Sequence, residues 1–150
     1  MENTIDLQTK IALIKKQNCF SSLSDIEMTE LSELFIEKHF KPGGIIVTQG
    51  DSVDSVYLIV SGTAEVRYVT VKPNGELEEK SVAKLGPEHA IGLNETGFYS
   101  LSGMRTATVI ALTDMVLLRL SVPAFHGFAL SHARVSAIMR KFYASNSATS

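Results

Sequence analysis

The chain has 150 residues, 45% of them hydrophobic and 20% charged, the size and balance of one soluble domain with a core of its own. Its formal net charge of −2 excludes a broad basic surface for nucleic acid, while one local positive spot still suffices for a small anion. A lone Cys19 excludes an internal disulfide and a cysteine-rich zinc site, and suits a reducing compartment.

Residues 1–6 carry neither the basic start nor the apolar core of a signal peptide. No apolar run approaches the roughly 18 residues that span a bilayer. A cytoplasmic protein without a membrane partner is the expectation. The N-terminal segment, 1–39, reads as helical. Ile5, Leu7, Ile11, Leu13 and Ile14 share one helical face over residues 5–16. Ser24-Asp25-Ile26-Glu27 has the form of a capping box, and the helix behind it carries Met28, Leu31, Leu34 and Phe35.

From Phe40 the pattern changes to strands, which fill residues 40–120. Lys41-Pro42-Gly43-Gly44 breaks the helix, and Ile45-Ile46-Val47 is a β-branched run. Gln49-Gly50-Asp51 punctuates before Val56-Tyr57-Leu58-Ile59-Val60, and Ser61-Gly62 reads as a two-residue hairpin turn. Strands follow over 63–71 and 77–85, joined by a turn at Pro73-Asn74-Gly75, and again over 105–112 and 115–120. So many short strands at close spacing predict an antiparallel sandwich, roll or barrel. Ser121-Val122-Pro123 opens a C-terminal helical segment, 121–144, whose second helix runs over 135–143; a polar tail or linker, 145–150, ends the chain.

Residues 86–103 break the strand rhythm with four glycines, a proline and an asparagine. Loops of that length inside compact domains are usually functional. Gly103-Met104-Arg105-Thr106 then brings a guanidinium to the lip of a strand. The histidines His39, His89, His126 and His132 are too scattered for a metal site, and no nucleophile–base or paired-carboxylate motif supports catalysis. The sequence reads as a binding module rather than an enzyme.

Three stretches in order resemble the cyclic nucleotide-binding domain family, whose members include catabolite activator proteins, protein kinase A regulatory subunits and cyclic nucleotide-gated channels. They are residues 40–51, residues 54–66, and the segment from Leu85-Gly86-Pro87 to Arg105-Thr106-Ala107-Thr108-Val109. The first two are scaffold. The third is similar to the family's phosphate-binding cassette, which contains a short helix and here spans 86–106. The resemblance implies a mainly β fold with flanking α-helices: an eight-stranded, jelly-roll-like antiparallel β-roll with N-terminal helices and C-terminal lid helices.

It also implies a sensor for cAMP or cGMP, with no cofactor, whose lid movement signals to a protein partner or an output domain, in a monomer or a homodimer. By resemblance Arg105 binds the cyclic phosphate, because its fork offers two hydrogen bonds to phosphate oxygens. Thr106 lies beside the phosphate or the guanine amino group. Gly92, Asn94, Glu95, Thr96 and Gly97 complete the ligand-binding set. The family's Phe-Gly-Glu stands here as Ile91-Gly92-Leu93, so counting forward puts Leu93 on the ribose-binding carboxylate position. Counting back from Arg105 puts Glu95 there, the preferred register, since the ribose hydroxyl calls for an acceptor. Leu93 in that place would suit a degenerate domain used for docking or dimerisation. Ile138, Met139 and Phe142 form the apolar face of the lid that the resemblance implies.

Overall fold

A computed structural model describes residues 5–17, 20–94, 97–98 and 103–132. The two N-terminal helices form where their caps direct. Helix α1, Leu7–Lys15, is opened by the Asp6 side chain, which accepts from Thr9 N at 2.8 Å. Helix α2, Asp25–Leu34, starts on the expected capping box: Glu27 N donates to Ser24 Oγ at 3.2 Å, and Ser24 N donates to Glu27 Oε1 at 2.8 Å.

The first strand begins earlier than the change of pattern at Phe40. Strand β1, Ile36–Phe40, follows α2 directly, so the N-terminal helical segment ends at Leu34 and not at residue 39. Its faces invert the usual alternation: Ile36 is 51% exposed and Glu37 only 7%. The Glu37 carboxylate is accommodated by Ile5 N at 3.0 Å and by the His39 ring at 2.5 Å. Tertiary partners thus override the sequence pattern.

The remaining strands are β2 (Ile45–Val47), β3 (Ser55–Ser61), β4 (Ala64–Val71), β5 (Leu77–Leu85), β6 (Ala90–Ile91), β7 (Leu93–Asn94), β8 (Gly97–Phe98), β9 (Thr108–Ala111) and β10 (Met115–Ser121). Eight of them form two four-stranded antiparallel sheets, in the orders β1-β10-β3-β6 and β2-β9-β4-β5. This is the expected eight-stranded roll with flanking helices. The short pair β7-β8 stands apart. The β3–β4 turn needs glycine: Gly62 has φ +94, and a Cβ there would lie 2.4 Å from the Asp114 carbonyl oxygen.

Strand β3 shows why an unbroken apolar run belongs in such a roll. Val56 and Leu58 pack toward α1, α2 and the C-terminal helix α3, Val122–Ser131, whereas Tyr57 and Ile59 pack toward the second sheet. Both faces are buried, so there is no polar side to read. Helix α3 begins where Ser121 Oγ accepts from Ala124 N at 3.1 Å, with a proline in its first turn. Its Phe125 ring meets Phe20 at a centroid distance of 5.7 Å, fixing the start of the C-terminal segment against the N-terminal one. The second C-terminal helix expected at 135–143, and the tail after it, lie outside the described residues.

Candidate functional site

Arg105 is fixed first through its backbone. The turn at Gly50, with φ +90, lets Gly50 N donate to Arg105 O at 2.8 Å, while Arg105 N donates to Asp51 O at 2.7 Å. Val53 N donates to Gly103 O at 2.7 Å, and Ser52 and Met104 form an isolated antiparallel bridge. The strand expected over 105–112 is therefore shorter. Ladder pairing of β9 starts at Thr108, because the segment before it is held by the 50–53 turn instead of by a strand.

The guanidinium points inward, and the residue is only 8% exposed. Nη2 donates to the Ser55 carbonyl oxygen at 2.6 Å and lies 3.4 Å from Ser55 Oγ. Asp54 Oδ1 stands 3.8 Å from the same nitrogen, and Asp54 Oδ2 stands 3.5 Å from Arg119 Nη2. Burial pulls the Arg105 pKa below its ordinary value, Asp54 and then Tyr57 pull it back up, and Arg119 adds to the lowering. An arginine so placed stays protonated at neutral pH, a fixed cation in a largely dry setting, where its pull on an anion is stronger than in water.

Beside the guanidinium is a cavity of about 290 Å³, at the small end of the roughly 300–1,000 Å³ of small-molecule pockets. Val47, Val66, Leu85, Ala107 and Val109 give it apolar walls, Arg105 and Thr106 bring polar groups to it, and Gly92 lines it beside the guanidinium. Gly92 has φ +89, and a Cβ there would lie 3.0 Å from Arg105 Nη1 and 3.2 Å from Val56 Cγ1. The missing side chain is what lets the 86–92 segment cross close to the guanidinium. An anionic head next to a flat apolar body fits this division of walls.

Of the residues expected to bind ligand, Gly92, Arg105 and Thr106 are brought together around this cavity. Asn94 and Gly97 face each other in the β7–β8 pair, where Leu93 pairs with Phe98. Among the described residues of 86–103 there are only short strands, so the short helix implied by the resemblance is not found in them. Glu95 and Thr96, and the lid residues Ile138, Met139 and Phe142, lie outside the described residues. The choice between Leu93 and Glu95 therefore rests on sequence.

Asp54, Ser55 and Arg119 stand outside the site set expected from sequence, although Ser55 and Asp54 adjoin Arg105 and Arg119 adjoins Asp54. Two carboxylates three positions apart in Gly50-Asp51-Ser52-Val53-Asp54 were the available signal. Asp54 is also a junction: its carbonyl oxygen accepts from Val122 N, the first residue of α3, at 2.8 Å.

A sequence model described as the cyclic nucleotide-binding domain matches residues 37–132, more than half of the chain. No match was found among curated protein sequences. Among solved structures, the N-terminal domain of a transcriptional regulator from Streptomyces coelicolor A3(2) is similar at 24% identity and a TM-score of 0.72, with 91% of each chain covered. The sensor domain of the transcriptional regulator DNR from Pseudomonas aeruginosa is similar at 16% identity and a TM-score of 0.69, with 93% of this chain and 89% of that one covered. The regulatory domain of Toxoplasma gondii PKA, in co-crystals with cAMP, is similar at 19% identity and a TM-score of 0.69; 85% of this chain covers 46% of that one. These structures share the fold.

Proposed function

Because this chain belongs to the cyclic nucleotide-binding domain family, we propose that it is a regulatory sensor that takes a 3′,5′-cyclic nucleotide, cAMP or cGMP, into the cavity beside Arg105. The observation that carries this reading is the buried, pre-positioned guanidinium at the polar end of an otherwise apolar cavity. A cyclic phosphate carries one negative charge, and an arginine fork gives it two parallel hydrogen bonds. The Nη2 bond to Ser55 O holds the group in place with one of the two Nη2 hydrogens and leaves the other, with those of Nη1, for the ligand. The Thr106 hydroxyl contacts the phosphate or the guanine amino group, and Glu95 accepts from the ribose 2′-hydroxyl. Asn94, Thr96 and Gly97 carry that turn of the cassette around the sugar.

Binding is the whole of the proposed chemistry; no catalytic step is assigned. The signal leaves through Asp54, which faces Arg105 with its carboxylate and the first residue of α3 with its carbonyl. A phosphate on Arg105 alters the charge balance at that carboxylate and biases the C-terminal helices, with Ile138, Met139 and Phe142 closing over the base. The nucleotide shifts this equilibrium only by its difference in affinity for the open and closed states. The readout is taken by a protein partner or by an output domain, in the cytoplasm.

Calorimetry with cAMP and cGMP on wild type and Arg105→Ala tests the reading. Removing one partner of a buried charged contact costs about 2–5 kcal/mol, so affinity is expected to fall at least about tenfold while the domain still folds. A wild type that binds neither nucleotide, or a variant that binds as tightly as wild type, overturns it. A melting-temperature rise specific to 3′,5′-cyclic forms over 5′-AMP is the companion result expected of a ligand that binds only the native state.

A further inference from the structure

Placing Arg105 on the 50–53 turn leaves a gap in the second sheet. Strand β4 pairs with β9 only from Ala64 to Arg67, where Arg67 faces Thr108, although β4 itself runs on to Val71. The segment before Thr108 is out of the ladder, so Val69, two residues beyond the last pair, has no strand on that side. The Gln49 side chain fills the place. Val69 N donates to Gln49 Oε1 at 2.7 Å, and Gln49 Nε2 donates to Val69 O at 3.2 Å. One side-chain amide thus supplies the acceptor and the donor that a residue of an antiparallel neighbour would exchange.

Gln49 is also the corner of the turn that holds Arg105. Asp51 N donates to Thr48 O at 3.1 Å across Gln49 and Gly50, and the positive φ of Gly50 in third place is that of a type II turn. Gln49 N donates to Thr108 Oγ1 at 2.9 Å. The next two residues grip Arg105, Gly50 through its N–H and Asp51 through its carbonyl oxygen.

We infer that Gln49 is a positioning residue for Arg105: its amide ties the 48–51 turn to β4, and that turn fixes the backbone from which the guanidinium reaches Ser55 and the cavity. This rests on the proposed reading of Arg105 as the phosphate-binding group. Strand β4 is a firm anchor, because its other edge is paired with β5 from Ala64 to Val71. A fork that gives two parallel hydrogen bonds is sensitive to small errors of position, so the residues that carry it have to be locked by partners of their own. Gln49 is neutral and does not line the cavity. Its effect on a ligand therefore passes through Arg105 and leaves the charge of the site unchanged.

The test compares wild type with Gln49→Ala. Hydrogen exchange in the ligand-free protein is followed by NMR at the Gly50 and Arg105 amides, with the amides of the central strand β10 as monitors of overall stability. Protection at Gly50 and Arg105 is expected to fall at least about fivefold more than in β10. A loss confined to Val69 means that Gln49 only closes the edge of β4, and an equal loss everywhere means only lower global stability; either overturns the inference. In calorimetry, Gln49→Ala is expected to weaken cyclic-nucleotide binding about fivefold, the weight of one ordinary hydrogen bond. Unchanged affinity in that variant also overturns the role. Should alanine prevent folding, Gln49→Glu gives the same comparison, since its carboxylate accepts from Val69 N but cannot donate to Val69 O. A wild type that binds no nucleotide sinks the sensor reading alone, and the exchange result then decides by itself whether Gln49 positions Arg105.

Discussion

Gly92 and Arg105 are fitted to each other: the glycine takes φ +89, and a Cβ on it would stand 3.0 Å from Arg105 Nη1. Two separate physical costs meet at that one position. A side chain in the left-handed region is strained, and the guanidinium that would have to yield is buried and already bonded to Ser55 O. Gly92→Ala is therefore expected to lower stability by about 1–3 kcal/mol, read as a shift of the urea unfolding midpoint. Nucleotide affinity is expected to fall with it, because the displaced guanidinium lines the cavity. A variant with wild-type stability and affinity would show that this close approach has no energetic weight.

That fit also marks how far the sequence could be read. Arg105 and Gly92 are both legible in the sequence, and they meet, because a guanidinium after a glycine-rich stretch and a glycine with a backbone reason to be one are local signals. The capping box at Ser24 and Glu27 and the turn at Gly62 were legible for the same reason. Strand β1 was not. Its buried position is Glu37 and its most exposed apolar residue is Ile36, so the usual alternation reads backwards, and tertiary contacts such as those to Ile5 and His39 explain it. The two-residue strands β6 to β8 are equally hidden, since pairing defines them and no periodicity does: β6 by the distant Tyr57–Ile91 pair, β7 and β8 by each other over too few residues to show a pattern. Asp54 and Arg119 belong to the same class: two surface-type charges whose meaning comes from a third residue far away in the chain.

The outer hairpin offers a pH prediction with a definite sign. Glu65 on β4 accepts from Ser81 Oγ of β5 at 2.8 Å and from Arg67 Nε. Those two hydrogen bonds hold its carboxyl below the ordinary value of 4.5. A carboxylate whose pKa is lower folded than unfolded stabilises the protein fully above the unfolded value, and loses that contribution as pH falls through the folded one. Wild type is thus expected to be more stable than Glu65→Gln at pH 7, with the gap closing as pH drops below 4.5. Urea unfolding of the two proteins across that range measures it. A gap that stays constant or widens toward acid would mean that the Ser81 and Arg67 contacts do not discriminate between the charged and neutral forms.

Replacing Arg105 by lysine separates charge from geometry at the site. The guanidinium does two things at once: Nη2 donates to the Ser55 carbonyl at 2.6 Å, and the group, with Nη1 on the Gly92 side, is part of the cavity lining. A lysine ammonium is a compact point charge on a flexible stem and cannot span both positions. If it reaches the ligand, it gives up the Ser55 carbonyl, an acceptor left buried without its donor; if it bonds Ser55, the phosphate sees a charge set further back. Either way one hydrogen bond to a charged group is lost, worth about 1.5–3 kcal/mol. Arg105→Lys is therefore expected to lose roughly tenfold or more in cyclic-nucleotide affinity by calorimetry while keeping the cation. A lysine variant that binds like wild type would mean that the site asks only for a positive charge, and the paired donation argued for the fork would have to be given up.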